Sequence, residues 1–372
     1  MLHTACNPVI RDSEVPESMP PASREQAATH RIASMERNMT NLPKAALFLS
    51  TALAVGFGLQ PAAADNIRVS TTVAETSNWV AAARKFKELV EERSDHTVEV
   101  FPSGVLVGGN DRVELEMAQA GAVDIIMKST PWLSQISSDF MVIAMPWIFP
   151  DADTAMAVMD GPVGERLSEK LAGAGVEPLG WGSGSFFQLY SNPGPIETPE
   201  DIAGVKIRTP GLDLYLDSWT AIGAVPVAMS FAEVFTALQA GAIDGGISPI
   251  PLIYTSRFFE VSKNIAKINF SFEAVGMLGS TAALARFSDE DKEMIRTAAH
   301  DAMVFQRELA ASEEAELAAK MEAEGVTITV PSPEALDAFK AKVAPVFDSY
   351  RESIGADLVA EVESEVEKAA AN

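Results

Sequence analysis

The stretch from 198 to 249 (TPEDIAGVKIRTPGLDLYLDSWTAIGAVPVAMSFAEVFTALQAGAIDGGISP) constrains this sequence more than any other. Thr198 can cap a short first turn with Pro199 at its first helical position. Residues 205–210 (VKIRTP) read as a strand stopped by proline. An amphipathic helix is expected over 212–222 and a short strand over 225–229. Ser230-Phe231-Ala232-Glu233 forms a capping box that opens a helix to Gln239. Gly241 closes that helix and 242–244 starts another strand. This β-α-β-α-β order excludes an all-helical or all-β chain. It sets Arg208, Ser230 and Ser248 near strand ends, the edge of an open α/β sheet where ligands usually bind.

Taken in order, 66–72 reads as a first strand, Glu75-Thr76-Ser77-Asn78 as a loop and cap, and 79–93 as a helix. A strand over 97–101 leads through a loop bracketed by Gly104, Gly108 and Gly109 into a helix over 111–120. A glycine-rich loop before a helix can cradle phosphate, but no P-loop Lys-Ser/Thr follows and the spacing is not a dinucleotide fingerprint. The loop therefore reads as a turn that lets backbone approach a cleft. An internal echo comes next, because QAGAVD at 119–124 recurs as QAGAID at 239–244. Each copy ends a helix with glycine and begins a buried strand, which implies two related lobes. The first copy feeds a strand over 125–130 whose end should face the same cleft, with Trp132 just beyond.

After an apolar, proline-bearing segment (139–150), a helix is expected over 152–171 and a strand over 176–181. The glycines and serines of 180–192 suit a crossing between lobes. A helix-like segment (250–260), a strand (266–272) and a return crossing (273–285) follow. The pattern from 288 to 324 is almost uninterruptedly helical, about 55 Å at 1.5 Å per residue, so it must bridge both lobes. Gly325 ends it, 326–330 is a strand, Ser332-Pro333 starts a further helix, and the acidic tail from 357 is expected as a solvated helix.

With 47% apolar residues the chain can bury one large or two medium cores. Residues 39–64 read as a secretory signal: Lys44, an apolar run over 45–59, and Ala62-Ala63-Ala64 as the cleavage site, with the mature chain starting at Asp65. An apolar run of about 15 residues is too short for a membrane anchor. Residues 1–38 are polar and unpatterned, as in a mis-called start or a tail, with Met35 or Met39 the better start. Cys6 lies in that segment, so the mature chain has no cysteine to mispair in an oxidising compartment. Five basic and five acidic residues precede Asp65, so the net charge of −24 persists in the mature part. This acidity argues against nucleic acid and anionic membrane surfaces as partners, and any acid-binding site must be a local basic pocket.

The motifs PEDIAGVKIRTP, IGAVPVAMSFAEVFTALQAGAIDG, FPSGVLVGGNDRVELEMAQAGAVDI and FFEVSKNI, in this order and spacing, resemble the solute-binding proteins of TRAP transporters, the tripartite ATP-independent periplasmic carriers of organic acids. The resemblance is continuous from about 67 to 320. It implies an α/β fold of two lobes with an interlobe cleft and a long bridging helix. The lobes are expected as 65–187 with about 275–305, and 188–274 with about 306–372. It further implies periplasmic capture of a small organic carboxylate by a monomer, hinge closure, and delivery to TRAP membrane subunits. No cofactor or metal is expected. An ABC-type or sensor-associated receptor is the alternative within binding proteins.

The resemblance also implies that Arg208, in its KIR-x-P motif, fixes the ligand carboxylate through a planar, permanently charged fork. An arginine exposed at a strand end, or paired to a structural acid, is the plainer alternative. Relatives read GFRQLTNSKRPI where this chain has Ser185 to Ile196, so their second arginine falls on Phe187. Their DGQENP is DGGISP here, so their asparagine is Ser248. Both changes remove hydrogen-bonding capacity, which favours a monocarboxylate with an apolar, aromatic or zwitterionic remainder over a sugar acid or C4-dicarboxylate. Plain core is the alternative reading of Phe187.

Glu75, Asn78 and Trp132 are further candidates at sheet edges. Glu75 opposite Arg208 would suit a zwitterion, while Asn78 could instead be a helix cap. Phe231 can pack on the ligand or staple its own helix start. An enzyme reading finds no support: His96 and His300 are the only histidines after Asp65, and neither HExxH nor GxSxG occurs.

Overall fold

The computed structural model describes residues 64–371, so the expected signal segment and the residues before it lie outside the described part. Its strands are β1 (Asn66–Ser70), β2 (Thr97–Phe101), β3 (Ile125–Ser129), β4 (Val176–Phe186), β5 (Gln188–Ser191), β6 (Lys206–Thr209), β7 (Val225–Ala228), β8 (Gly245–Ser248), β9 (Asn264–Ala266), β10 (Phe272–Ser280) and β11 (Thr327–Thr329). They form two sheets, ordered β2-β1-β3-β10-β4 and β11-β9-β5-β8-β6-β7. In the first, β1 runs parallel to β2 and β3 while β10 is antiparallel to β3 and β4. In the second, β6 runs parallel to β7 and β8 while β5 is antiparallel to β8 and β9.

The two sheets repeat one plan, and the QAGAVD/QAGAID echo marks corresponding corners. Gly121 and Gly241 take positive φ (72° and 69°), the left-handed conformation that closes a helix most easily at glycine. The aspartate that follows accepts from the parallel neighbouring strand of its own sheet: Asp124 from the Arg68 amide at 2.7 Å, Asp244 from the Lys206 amide at 2.9 Å. The repeated hexapeptide is thus a helix stop joined to a strand lock. Counting on from it, Lys128 and Ser248 occupy equivalent strand ends, as do Ser70 and Arg208.

Lobe-to-lobe passage occurs first between Phe186 and Gln188 and again over 267–271. The expected strand over 266–272 is instead the link between two strands, touching them only at Ala266 and Phe272, and residues 272–274 already belong to the first sheet, which corrects the expected boundary at 274. The alternation of apolar and polar residues in AKINFSF imitates a strand and hides the change of sheet. Aromatic rings fill this junction: Phe270 packs on Trp147, Tyr215 and Trp219 with centroids 5.3, 5.4 and 4.9 Å away, and Phe272 on Phe186 at 5.4 Å.

The helix Asp289–Ala323 starts at Ser288, whose side chain caps the Asp291 amide, and spans 35 residues. Ile295, Ala299 and Met303 enter the core under the first sheet, and Leu317 and Met321 enter the core of the second lobe. At its middle the buried Gln306 accepts from the Ser183 amide (2.9 Å) and donates to the Ser183 carbonyl (2.7 Å) and Asn78 Oδ1 (3.1 Å).

The last two helices divide between the lobes. Pro333–Ile354 packs on Asp213–Ile222 of the second, and Ala356–Ala370 packs on Ala152–Met159 and Pro162–Ala172 of the first. The final helix was expected to be solvated and assigned with the second lobe; instead it buries Leu358, Val359 and Val362. Its apolar stripe, at helical spacing, is interleaved with so many acids that composition conceals it.

Candidate functional site

The strand ends of both sheets converge on one cavity of about 60 Å³. The first lobe contributes Thr72, Trp79, Asp111, Lys128, Ser129, Trp132 and Glu273 to its wall. The second contributes Phe187, Arg208, Phe231, Ser248 and Leu252. It opens into a wider mouth of about 560 Å³ that shares Asp111, Trp132 and Arg208 with it. A water needs only about 10–15 Å³ of such space, so the inner cavity admits a compact molecule of a few non-hydrogen atoms.

Arg208 sits at the C-terminal end of β6, 5% exposed. Its Nε and Nη2 both donate to the Met229 carbonyl at 3.2 and 3.0 Å, which fixes the plane of the guanidinium, and its Cζ lies 5.8 Å from the Phe231 ring centre. Among the described residues no carboxylate forms an ion pair with it, and its Nη1 meets no protein acceptor. Burial lowers its pKa from the ordinary value, while Tyr190, Asp111 and Glu273 act the other way. A buried cation without a counterion costs several kcal/mol. An anion supplied from outside removes that cost.

Lys128, equally buried, is answered inside the protein. It pairs with Asp111 and with Glu114 (2.5 Å), and lies 4.8 Å from the Trp132 ring centre. Glu114 accepts from Ser70, and Asp111 from Thr72 at 2.9 Å, so this network is tied to the first-lobe strand ends.

Glu273 is the one carboxyl on the cavity wall that no cation among the described residues neutralises. It is 3% exposed, and its Oε1 has no hydrogen-bond partner among the described residues. Burial pushes its pKa up to about 8, with Ser129 and the Arg208 charge pulling it down. A defect in the sheet places it: the register between β10 and β4 slips at Glu273/Ala274, opposite Gly184 and Ser185. Ser185 takes φ 75° there, and a Cβ on Gly184 would lie 2.3 Å from Glu273 Cγ. A bulge of this kind re-aims a side chain.

Five of the seven residues singled out in the sequence line the cavity: Arg208, Phe187, Ser248, Trp132 and Phe231. Phe187 is also core, 3% exposed and packed edge-on against Tyr215 at 5.8 Å, so it stands at once in the core and on the cavity wall. Glu75 and Asn78 are corrections of placement. Glu75 is paired with Arg84 on the surface, because the loop turns it outward before the helix Asn78–Arg93 begins. Asn78 is inside, but Gln306 and Glu313 of the long helix use both ends of its amide (3.1 Å each). Ser77, not Asn78, is the helix cap.

Lys128 was legible through the echo, which sets it opposite Ser248. Glu273 had one signal, a lone charge in the apolar run NFSFEAVGML.

Two α/β lobes, spanned by a long helix and meeting at strand ends around a buried unpaired cation, define a solute-binding protein. A model of "Bacterial extracellular solute-binding protein, family 7" matches residues 69–353, and the chain belongs to that DctP-type family of TRAP solute-binding proteins. The C4-dicarboxylate-binding periplasmic protein DctP of Rhodobacter capsulatus is 32% identical over 331 residues, covering 86% of this chain and 96% of that one. An uncharacterized protein of Sinorhizobium fredii is 32% identical over 275 residues; the match spans 74% of this chain but half of that longer protein. The sugar acid binding protein of Advenella mimigardefordensis in complex with galactonate has a TM-score of 0.79 at 28% identity, covering 82% of this chain and 98% of that one. A TRAP periplasmic solute-binding protein of Ralstonia eutropha with bound (S)-2-acetolactate has a TM-score of 0.78 at 27% identity, covering 82% and 99%.

Proposed function

We propose that this protein is exported through the 39–64 segment, works as a monomer in the periplasm, and captures a compact monocarboxylate in its interlobe cavity for delivery to TRAP membrane subunits. Relatives hold ligands as different as galactonate and succinate, and a carboxylate is what these share. The observation that carries the reading is Arg208, buried at the cavity and without a counterion among the described residues. Each hydrogen bond to a charged group contributes roughly 1.5–3 kcal/mol net, while micromolar affinity needs about 8. The remainder must come from the aromatic wall of Trp79, Trp132, Phe187 and Phe231 and from lobe closure. Phe187 and Ser248 offer little hydrogen bonding, so a polyhydroxylated acid is disfavoured.

The test is a thermal-shift screen against organic acids, followed by calorimetry on the hits and on Arg208→Ala. Ligand at about 100 times its dissociation constant adds roughly 2.7 kcal/mol of stability. Arg208→Ala should lower affinity by at least 100-fold and leave the ligand-free melting midpoint nearly unchanged, since an unpaired buried charge is removed. Unchanged affinity in that variant would sink the carboxylate clamp.

A further inference from the structure

Beyond the arginine, the cavity holds a second element that the carboxylate reading does not use. Glu273 faces it from the opposite lobe, buried, with an oxygen that meets no donor. No ion pair joins it to Arg208, although both groups line the same cavity and sense each other's charge. The wall they share carries the rings of Trp79, Trp132, Phe187 and Phe231, with Thr72, Ser129 and Ser248 as its uncharged polar side chains. Lys128, the remaining cation on the wall, is held by Asp111 and Glu114, so its charge is not open to a second ligand carboxylate.

The position of Glu273 is built rather than incidental. The slip in register, the positive φ of Ser185 and the missing Cβ of Gly184 all act on this one side chain. Without them, a strand buried on both faces would hold an apolar residue there. We infer that Glu273 is the acidic pole of the binding site and that the ligand is a compact zwitterion, its carboxylate on Arg208 and its cationic nitrogen against Glu273 within the rings of Trp79, Trp132 and Phe187. Aromatic faces attract such a cation, and the small volume excludes an extended one.

This inference rests on the carboxylate reading and narrows its substrate class. Charge balance supports it. Burial pushes the Glu273 pKa up to about 8, which favours its protonated form at neutral pH in the ligand-free site; Arg208 and Tyr215 of the second lobe and Ser129 of the first act on it, and Lys128 and Asp111 share its cavity wall. A ligand cation takes over the proton's role, so binding releases a proton, whereas a plain anion leaves it in place.

The experiment is titration calorimetry at pH 7 with pairs of ligands that differ only in charge: glycine betaine with 3,3-dimethylbutanoate, L-proline with cyclopentanecarboxylate, and 3-aminopropanoate with butanoate. At least one zwitterion should bind tenfold or more tightly than its carbon twin. Its binding enthalpy should vary with the ionisation enthalpy of the buffer, as release of about one proton requires. Glu273→Gln, which keeps the shape, should erase both the preference and the proton release. Glu273→Asp, which keeps the charge but withdraws it by one carbon, should retain part of the preference.

Twins that bind as tightly as the zwitterions, a preference that survives Glu273→Gln, or no binding by any zwitterion overturns the acidic pole. If the twins still bind and Arg208→Ala abolishes that binding, only the acidic pole falls. If no member of any pair binds and the organic-acid screen is also empty, the carboxylate reading falls with it.

Discussion

Glu273→Gln in the ligand-free protein isolates one buried carboxyl in the dependence of stability on pH. Its pKa stands at about 8 against the ordinary 4.5, raised by burial. The folded protein therefore holds a proton that the unfolded chain has released, and stability is lost as pH rises from about 5 through about 8. At 1.36 kcal/mol per pKa unit, the loss attributable to Glu273 is on the order of 3–5 kcal/mol. With an unfolding entropy of about 2.1 cal/mol/K per residue over roughly 300 ordered residues, that corresponds to a fall of about 5–8 °C in the melting midpoint. A glutamine at this position cannot ionise, so the variant should lack this part of the decline. Scanning calorimetry of both proteins from pH 5 to pH 9, without ligand, gives the difference directly. Curves that stay parallel across the range would show that Glu273 is ionised at neutral pH in the empty site, and the burial argument would be wrong.

Three substitutions probe the surrounding structure. Gly184→Ala brings a methyl group to 2.3 Å from Glu273 Cγ and 2.9 Å from its backbone oxygen; denaturant unfolding should show a loss of about 1–3 kcal/mol, and the ligand preference should change with it. Phe187→Ala removes a side chain that is both core and cavity wall, and should cost about 3–5 kcal/mol while admitting bulkier acids in the thermal-shift screen. Asn78→Ala breaks its bonds to Gln306 and Glu313 at about 1–3 kcal/mol; the affinities of all ligands should move together, and a changed ranking among them would restore Asn78 to the ligand.

Much of the site was legible because its chemistry sits where secondary structure changes. Arg208 ends a strand just before Pro210, and the hexapeptide echo fixed two corresponding sheet corners from sequence alone. What stayed hidden depends on contacts between distant strands. Tyr190 and Gly246 are register partners, and a Cβ on Gly246 would lie 2.3 Å from the Tyr190 hydroxyl. The Tyr190 ring fills the space that a side chain at 246 would take, a pairing visible only once the strands are aligned. Glu273 was obscured in the same way, since the bulge that turns it inward lies on another strand. Glu75 misled because a sheet-edge loop has two sides, and its sequence does not say which one faces the cleft.

The long helix has a mechanical consequence. Gln306 bolts it to the first lobe at Ser183 and Asn78, and Leu317 and Met321 anchor it in the second. Any rotation of one lobe against the other must be taken up by the few helical turns between those points, which act as a leaf spring clamped at both ends. The spring's unstressed shape sets how much of the ligand-free population is already closed, and apparent affinity scales with that fraction. The stiffness of this segment is written in residues that touch no ligand, so how tightly the protein holds its cargo can drift through substitutions far from the cavity while what it holds stays the same.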